Sequence, residues 1–232
     1  PLWKHLLDAA AVALALPFPM RNTTWTQEMI AFLTGIHDIG KADSCFQHRV
    51  SAFSQKLCDA GYLPTGDAPC RHERLSANFA REWLLEKRIC ERTTESISQS
   101  ILAHHGRWEN DFRPVGKKYA EAQQQISHML HNILGSPVPP EEKPEDLSAF
   151  GMCLAGHIVL SDWIASNEQF FCDSRLTHLN DPKTYFTEAC NVAREWITKL
   201  DLARPPSQGK PSYVVKVPRP LQETLLTKDI SP

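Results

Sequence analysis

The run Gly35-Ile36-His37-Asp38-Ile39-Gly40-Lys41 sets an imidazole and a carboxylate on neighbouring residues. Both groups suit divalent cations. An adjacent His-Asp pair is common by chance, so its companions decide the reading. His5 falls on the first helix, on a turn neighbouring its apolar stripe, from which it can face inward. His72 stands in Cys70-Arg71-His72-Glu73-Arg74, and the tandem His104-His105 closes an apolar helix just before Gly106. Asp162 lies inside Val159-Leu160-Ser161-Asp162-Trp163-Ile164. A carboxylate there is costly to bury unless it is paired or bound to a cation. Singly, each histidine is as well read as a packed core or surface residue. The ordered series His, His-Asp, His, His-His, Asp along one helical chain argues for a common site.

The totals bound what such a site can serve. The chain has 232 residues, 42% of them hydrophobic and 22% charged, which is ordinary for soluble globular protein. No run approaches the ~18 consecutive apolar residues of a membrane-spanning helix, so no membrane partner is expected. Lys4, His5 and Asp8 break the apolar N-terminal segment, which reads as an amphipathic helix rather than a signal peptide. The abrupt start on helix suggests residues further upstream. Cysteines at 45, 58, 70, 90, 153, 172 and 190 form no C-x-x-C pair and are odd in number. That disfavours a zinc ribbon or a disulfide framework and suggests free thiols in a reducing cytoplasm. The net charge of −2 means that a nucleic-acid partner would be held by a local groove, a metal site or another domain.

Helical periodicity dominates the elements that would position these groups. Leu2, Leu6, Ala9, Ala10 and Ala13 share one helix face, and Gln27–Gly35 runs straight into His37-Asp38. Ser76–Arg92, with Ser76 as its N-cap, Thr94–His105, Lys117–Leu134 and Lys183–Leu200 read as further helices. Leu147–Ser166 is apolar for most of its length and reads as the central buried helix. Only Ser212–Val217 looks extended. The expectation is one all-α domain with a short tail.

The series of ligands, H-D-I-G-K at His37–Lys41, A-H-H-G at Ala103–Gly106 and S-D-W at Ser161–Trp163 resemble the HD superfamily of metal-dependent phosphohydrolases. Within it they are similar to the nuclease domain of the CRISPR-associated nuclease-helicase of type I systems. Trp3-Lys4-His5-Leu6 before an Ala-rich helix, and Phe46-Gln47, fit the same pattern. The resemblance covers roughly residues 2 to 200, and Pro218-Arg219-Pro220-Leu221-Gln222 resembles the segment that leads into the helicase half. It implies an HD-domain helical bundle around a buried metal site over residues 1–204. A linker or extended tail over 205–232 would lead towards a helicase that lies beyond this chain.

The resemblance also implies roles. His5, His37, Asp38 and Asp162 would hold one ion, while Asp38, as a bridging carboxylate, would join His72, His104 and His105 around a second. Asp38 and Lys41 would be the catalytic pair, Lys41 steadying a substrate phosphate or a ligand carboxylate. Five imidazoles with two carboxylates favour one or two transition ions such as Mn, Fe, Co or Ni, with Mg also allowed. The implied activity is endo- and exonucleolytic hydrolysis of single-stranded DNA. The strand would be supplied by a fused or partner superfamily 2 helicase recruited by the CRISPR surveillance (Cascade) complex. Two other readings stay open: an HD hydrolase of nucleotides or cyclic nucleotides, and a non-catalytic docking module stiffened by metal.

Several groups are set aside from the core reading. His128 and His131 read as a solvated face, and His157 as a packed core histidine or a partner of Asp162. Trp163 is expected to pack, and Ser161 to touch ligand or substrate. Arg107, Trp108 and Lys117-Lys118 could line a DNA groove.

Overall fold

The computed structural model describes residues 1–20, 23–64, 71–106, 117–141, 143–171 and 174–203. Eleven α-helices are formed among them: α1 (Leu2–Ala15), α2 (Gln27–Gly35), α3 (Ser44–Gln47), α4 (Ser51–Asp59), α5 (His72–Glu86), α6 (Glu91–Leu102), α7 (Lys117–Ile133), α8 (Leu147–Ala165), α9 (Glu168–Phe171), α10 (Ser174–Thr177) and α11 (Pro182–Lys199). Two short 3-10 turns, Ile39–Ala42 and Ala103–His105, follow α2 and α6. No strand occurs among the described residues. The expected extended segment Ser212–Val217 and the boundary at residue 204 lie outside them.

The helix at the centre is α1, which packs against α2, α8 and α11. Every residue from Leu6 to Ala13 is buried. Alanines at 9, 10, 11 and 13 leave so little side chain that neighbours close in from several sides, and burial extends round the whole helix rather than one stripe. This corrects the expectation for Leu147–Ser166. By length and composition α8 is apolar enough to cross a membrane, but its inner face packs on α1 and α6. Its outer face leaves Met152 64% and Trp163 70% exposed. Trp163 therefore does not pack as expected, because it points off the opposite side of α8 from Ile158 and Ser161.

Caps define the other boundaries. The Thr26 hydroxyl accepts from the Met29 amide and starts α2, and the Asp146 and Asp181 carboxylates do the same for α8 and α11. Helix α5 begins earlier than expected, at His72, with Arg71 at its N-cap and no side-chain cap bond. Ser76 is thus not a cap but a fully buried residue one turn into the helix. The short helices α3 and α4 were not anticipated, and α4 buries none of its residues, so it carries no apolar stripe for a pattern to reveal.

Candidate metal centre

Helix α2 delivers the central pair. It ends at Gly35, and the chain tightens so that the His37 amide donates to the Thr34 carbonyl (3.1 Å) and the Lys41 amide to the Asp38 carbonyl (2.9 Å). His37 and Asp38 thereby sit at the junction of α2 and the first 3-10 turn, fully buried and 1% exposed respectively. Around them α1 supplies His5, α5 supplies His72, the second 3-10 turn supplies His104 and His105, and α8 supplies Asp162. Gly106, at φ 77°, ends that second turn in the left-handed region, where glycine carries no steric penalty.

The two oxygens of Asp38 face two different sets of groups. Oδ2 lies 3.1 Å from His5 Nε2 and 3.5 Å from His37 Nε2, whereas Oδ1 lies 3.0 Å from His72 Nε2 and 3.6 Å from His104 Nε2. Asp162 Oδ1 is 3.4 Å from both His5 Nε2 and His37 Nε2. His105 Nε2 stands 3.0 Å from His72 Nε2. Two clusters capable of holding an ion result, His5–His37–Asp38–Asp162 and Asp38–His72–His104–His105. All seven residues singled out in the sequence are brought together. Lys41 joins them, its ammonium bonded to Asp38 Oδ2 and lying 5.7 Å from the centre of the Phe46 ring.

The protonation pattern tests whether a cation fits. His37 Nδ1 is 2.7 Å from the Thr34 carbonyl and His104 Nδ1 is 2.6 Å from that of Ile101. A carbonyl only accepts, so each Nδ1 carries a proton, and a ring with no second proton turns its Nε2 lone pair inward. Those two Nε2 atoms and Asp38 Oδ1 are buried without a hydrogen-bond partner. Such acceptors, turned into each of the two clusters, suit a cation.

The electrostatics agree. Burial lowers the pKa of His37, against the opposing pull of Asp38 and Asp162, and burial also lowers that of His105. Burial alone would raise Asp38 and Asp162, but positive charge and N–H donors on the surrounding imidazoles outweigh it, the kind of charge a bound cation would supply. Asp38 is held far below the usual carboxylate range, and Asp162 is brought down to about 2.

Other expectations are corrected here. Ser161 is fully buried, with its hydroxyl unpartnered. His157 is a core residue, edge-on to Phe18 at 5.4 Å, and burial pushes its pKa down to about 4. His128 is exposed, but His131 is not part of a solvated face. It packs on Phe32 and Trp83, and its Nε2 donates to the Pro137 carbonyl at 2.9 Å. Arg107, Trp108 and the side chains of Lys117 and Lys118 lie outside what is described.

Sequence reasoning missed the groups that hold the ligands. These are the Thr34 and Ile101 carbonyls. The one available signal was shared spacing, since each locked histidine lies three residues beyond its carbonyl at a helix end.

Comparison with known proteins follows the same line. The chain is 29% identical over 229 residues to the CRISPR-associated endonuclease/helicase Cas3 of Thermus thermophilus, covering 86% of this chain and 24% of that protein. It thus spans about a quarter of the length of that relative. A crystal structure of a CRISPR-associated protein superposes with a TM-score of 0.73 at 28% identity, covering 90% of this chain and 26% of the other. The Thermus thermophilus Cas3 HD domain, solved in the presence of Ni2+, gives 0.61 at 26% identity, covering 86% of this chain and 84% of that one. The family model for the Cas3 HD domain matches residues 1–171. With only helices among its described residues, this ligand arrangement and this match, the chain belongs to the Cas3 HD domain family.

Proposed function

We propose that this domain is a metal-dependent nuclease that hydrolyses phosphodiester bonds in single-stranded DNA during CRISPR interference, with both endo- and exonucleolytic action. The observation that carries this reading is Asp38, whose two oxygens face two separate groups of imidazoles. In it, His5, His37, Asp38 and Asp162 hold one divalent cation, and Asp38, His72, His104 and His105 hold the other. Mixed nitrogen and oxygen donors favour Mn, Fe, Co or Ni, with Mg also allowed. Bound together, such ions activate water and offset charge on the transferring phosphorus and the departing oxygen.

The chain's own residues prepare that step. Thr34 and Ile101 keep His37 and His104 in the tautomer whose lone pair faces inward. Lys41, already on Asp38, is the fixed cation placed to take a substrate phosphate once Asp38 is otherwise engaged. The remaining parts of the reading rest on the relatives. Residues 1–204 form the nuclease domain and 205–232 lead towards a superfamily 2 helicase, fused or separate, that supplies the strand. Recruitment is by the Cascade surveillance complex: a CRISPR RNA-guided surveillance complex in a pre-nicking state gives a TM-score of 0.66 at 23% identity, a likeness of fold. A cytoplasmic setting accords with the free thiols of Cys58, Cys90, Cys153 and Cys190.

Asp38→Ala should abolish Mn2+- or Ni2+-dependent cleavage of a single-stranded DNA oligomer, read as fragment formation on a gel. Undiminished cutting by that variant overturns the assignment. Turnover of free nucleotides with no cutting of the oligomer favours a nucleotide phosphohydrolase instead.

A further inference from the structure

We infer that Gly40 and Ser76 form a clamp that positions His72 against Asp38 and so sets the affinity of the second ligand group for its ion. This rests on the two-ion reading above. The Gly40 amide donates to Ser76 Oγ at 2.9 Å, a buried bond between the first 3-10 turn and α5. Gly40 could carry no side chain there. A Cβ would stand 2.1 Å from the His72 carbonyl oxygen, 2.8 Å from Leu75 Cβ and 2.9 Å from the Ser76 amide nitrogen. The glycine thus lies directly on the backbone of the first turn of α5.

The two elements are joined at two levels in register. Asp38 and Gly40 are two residues apart on one strand of chain. His72 and Ser76 are one helical turn apart on the other, and so share a face. His72 meets Asp38 Oδ1 at 3.0 Å, and Ser76 meets Gly40. A slide of α5 along the turn would therefore carry His72 off Asp38. Of the described groups in the other cluster, none lies on α5: His5 is on α1, His37 follows α2 and Asp162 is on α8. The clamp consequently acts on one ion and not on the other.

The test is calorimetric titration of the 232-residue chain with Ni2+ alone, comparing wild type with Ser76→Ala. Removal of a group that orients a ligand typically weakens metal binding by roughly 10–100-fold. One of the two affinities should fall on that scale, while the other stays within about threefold. Ser98→Ala serves as a control for loss of a buried hydroxyl, since Ser98 bonds only within α6, to the Thr94 carbonyl. It should move neither constant. Two ions bound by Ser76→Ala as by wild type, or both weakened alike, overturn the clamp and leave the two-ion reading standing. A wild type that takes up a single ion removes the two-ion reading, and the clamp with it. If Ser76→Ala does not fold, hydrogen exchange of wild type decides. The Gly40 amide should gain protection as one of the two equivalents of Ni2+ is added, and no change at either step overturns the clamp.

Discussion

Asp38 is a carboxylate 1% exposed and encircled by His5, His37, His72 and His104. An ionised group so placed is tolerated only when opposite charge or donors surround it. Among the described neighbours, Lys41 is the fixed positive charge on it, bonded to Oδ2. Lys41 therefore has two opposed effects. It neutralises Asp38 when no ion is present, and it competes with an ion for the same oxygen. Lys41→Met should leave ion binding unweakened or tighten it several-fold, because the competitor is gone. Cleavage of single-stranded DNA should nevertheless fall about 100-fold with the loss of a placed cation. Titration calorimetry and cleavage rates on the same preparation separate the two; a parallel loss of both would show Lys41 to be structural.

Five elements converge on the site, and two of them, α2 and α8, pack against α1. One feature of that helix lies outside the ligand set but holds it in place. Asp8, one turn from His5, is buried and accepts from Tyr185 Oη on α11 at 2.9 and 3.0 Å. Burial pushes the Asp8 carboxyl up to about 7, against the lowering effect of Tyr185. A carboxyl raised in the folded state above its unfolded value of about 3.9 binds its proton more tightly when folded. Its stabilising contribution is thus complete below pH 4 and is lost as pH rises through about 7. Asp8→Asn keeps an acceptor for Tyr185 and does not titrate. Its stability relative to wild type should improve from pH 4 to pH 8, by on the order of a few kcal/mol at most. Urea unfolding at the two pH values measures this, and a constant difference would contradict it.

At the scale of the molecule, an ion in this centre cross-links parts of the chain separated by more than a hundred residues, from His5 to Asp162. Binding to the folded chain alone stabilises it by mass action, about 4 kcal/mol at a thousandfold excess over Kd. Stripping metal with a chelator should then lower the melting temperature by roughly 5–15 °C for a chain of this size. Added Ni2+ should restore it in differential scanning fluorimetry, and an unchanged melting temperature would count against a bound structural ion. The net charge of −2 gives the whole molecule no long-range pull on a polyanion. On the proposed reading, DNA capture would therefore fall to the centre itself or to a companion domain.

Much of this was legible in the sequence alone. Ligand chemistry was readable because a buried His-Asp pair, a tandem His and an acid within an apolar run are local departures from ordinary patterning. The helices α2, α7, α8 and α11 were readable because cap residues and 3.6-residue periodicity are local as well. Three things were decided only in three dimensions. The first is which helix lies at the centre: α8 is the more continuously apolar, but the small side chains of α1 admit neighbours on every side. The second is the fate of Ser76, which looks like a cap by position and instead receives the Gly40 amide from 36 residues away. The third is which oxygen of Asp38 faces which cluster, its bridging place having been implied already by the resemblance. Residue types and spacing nominate ligands, but which oxygen faces which imidazole depends on how five separate elements pack, and that is a property of the folded chain.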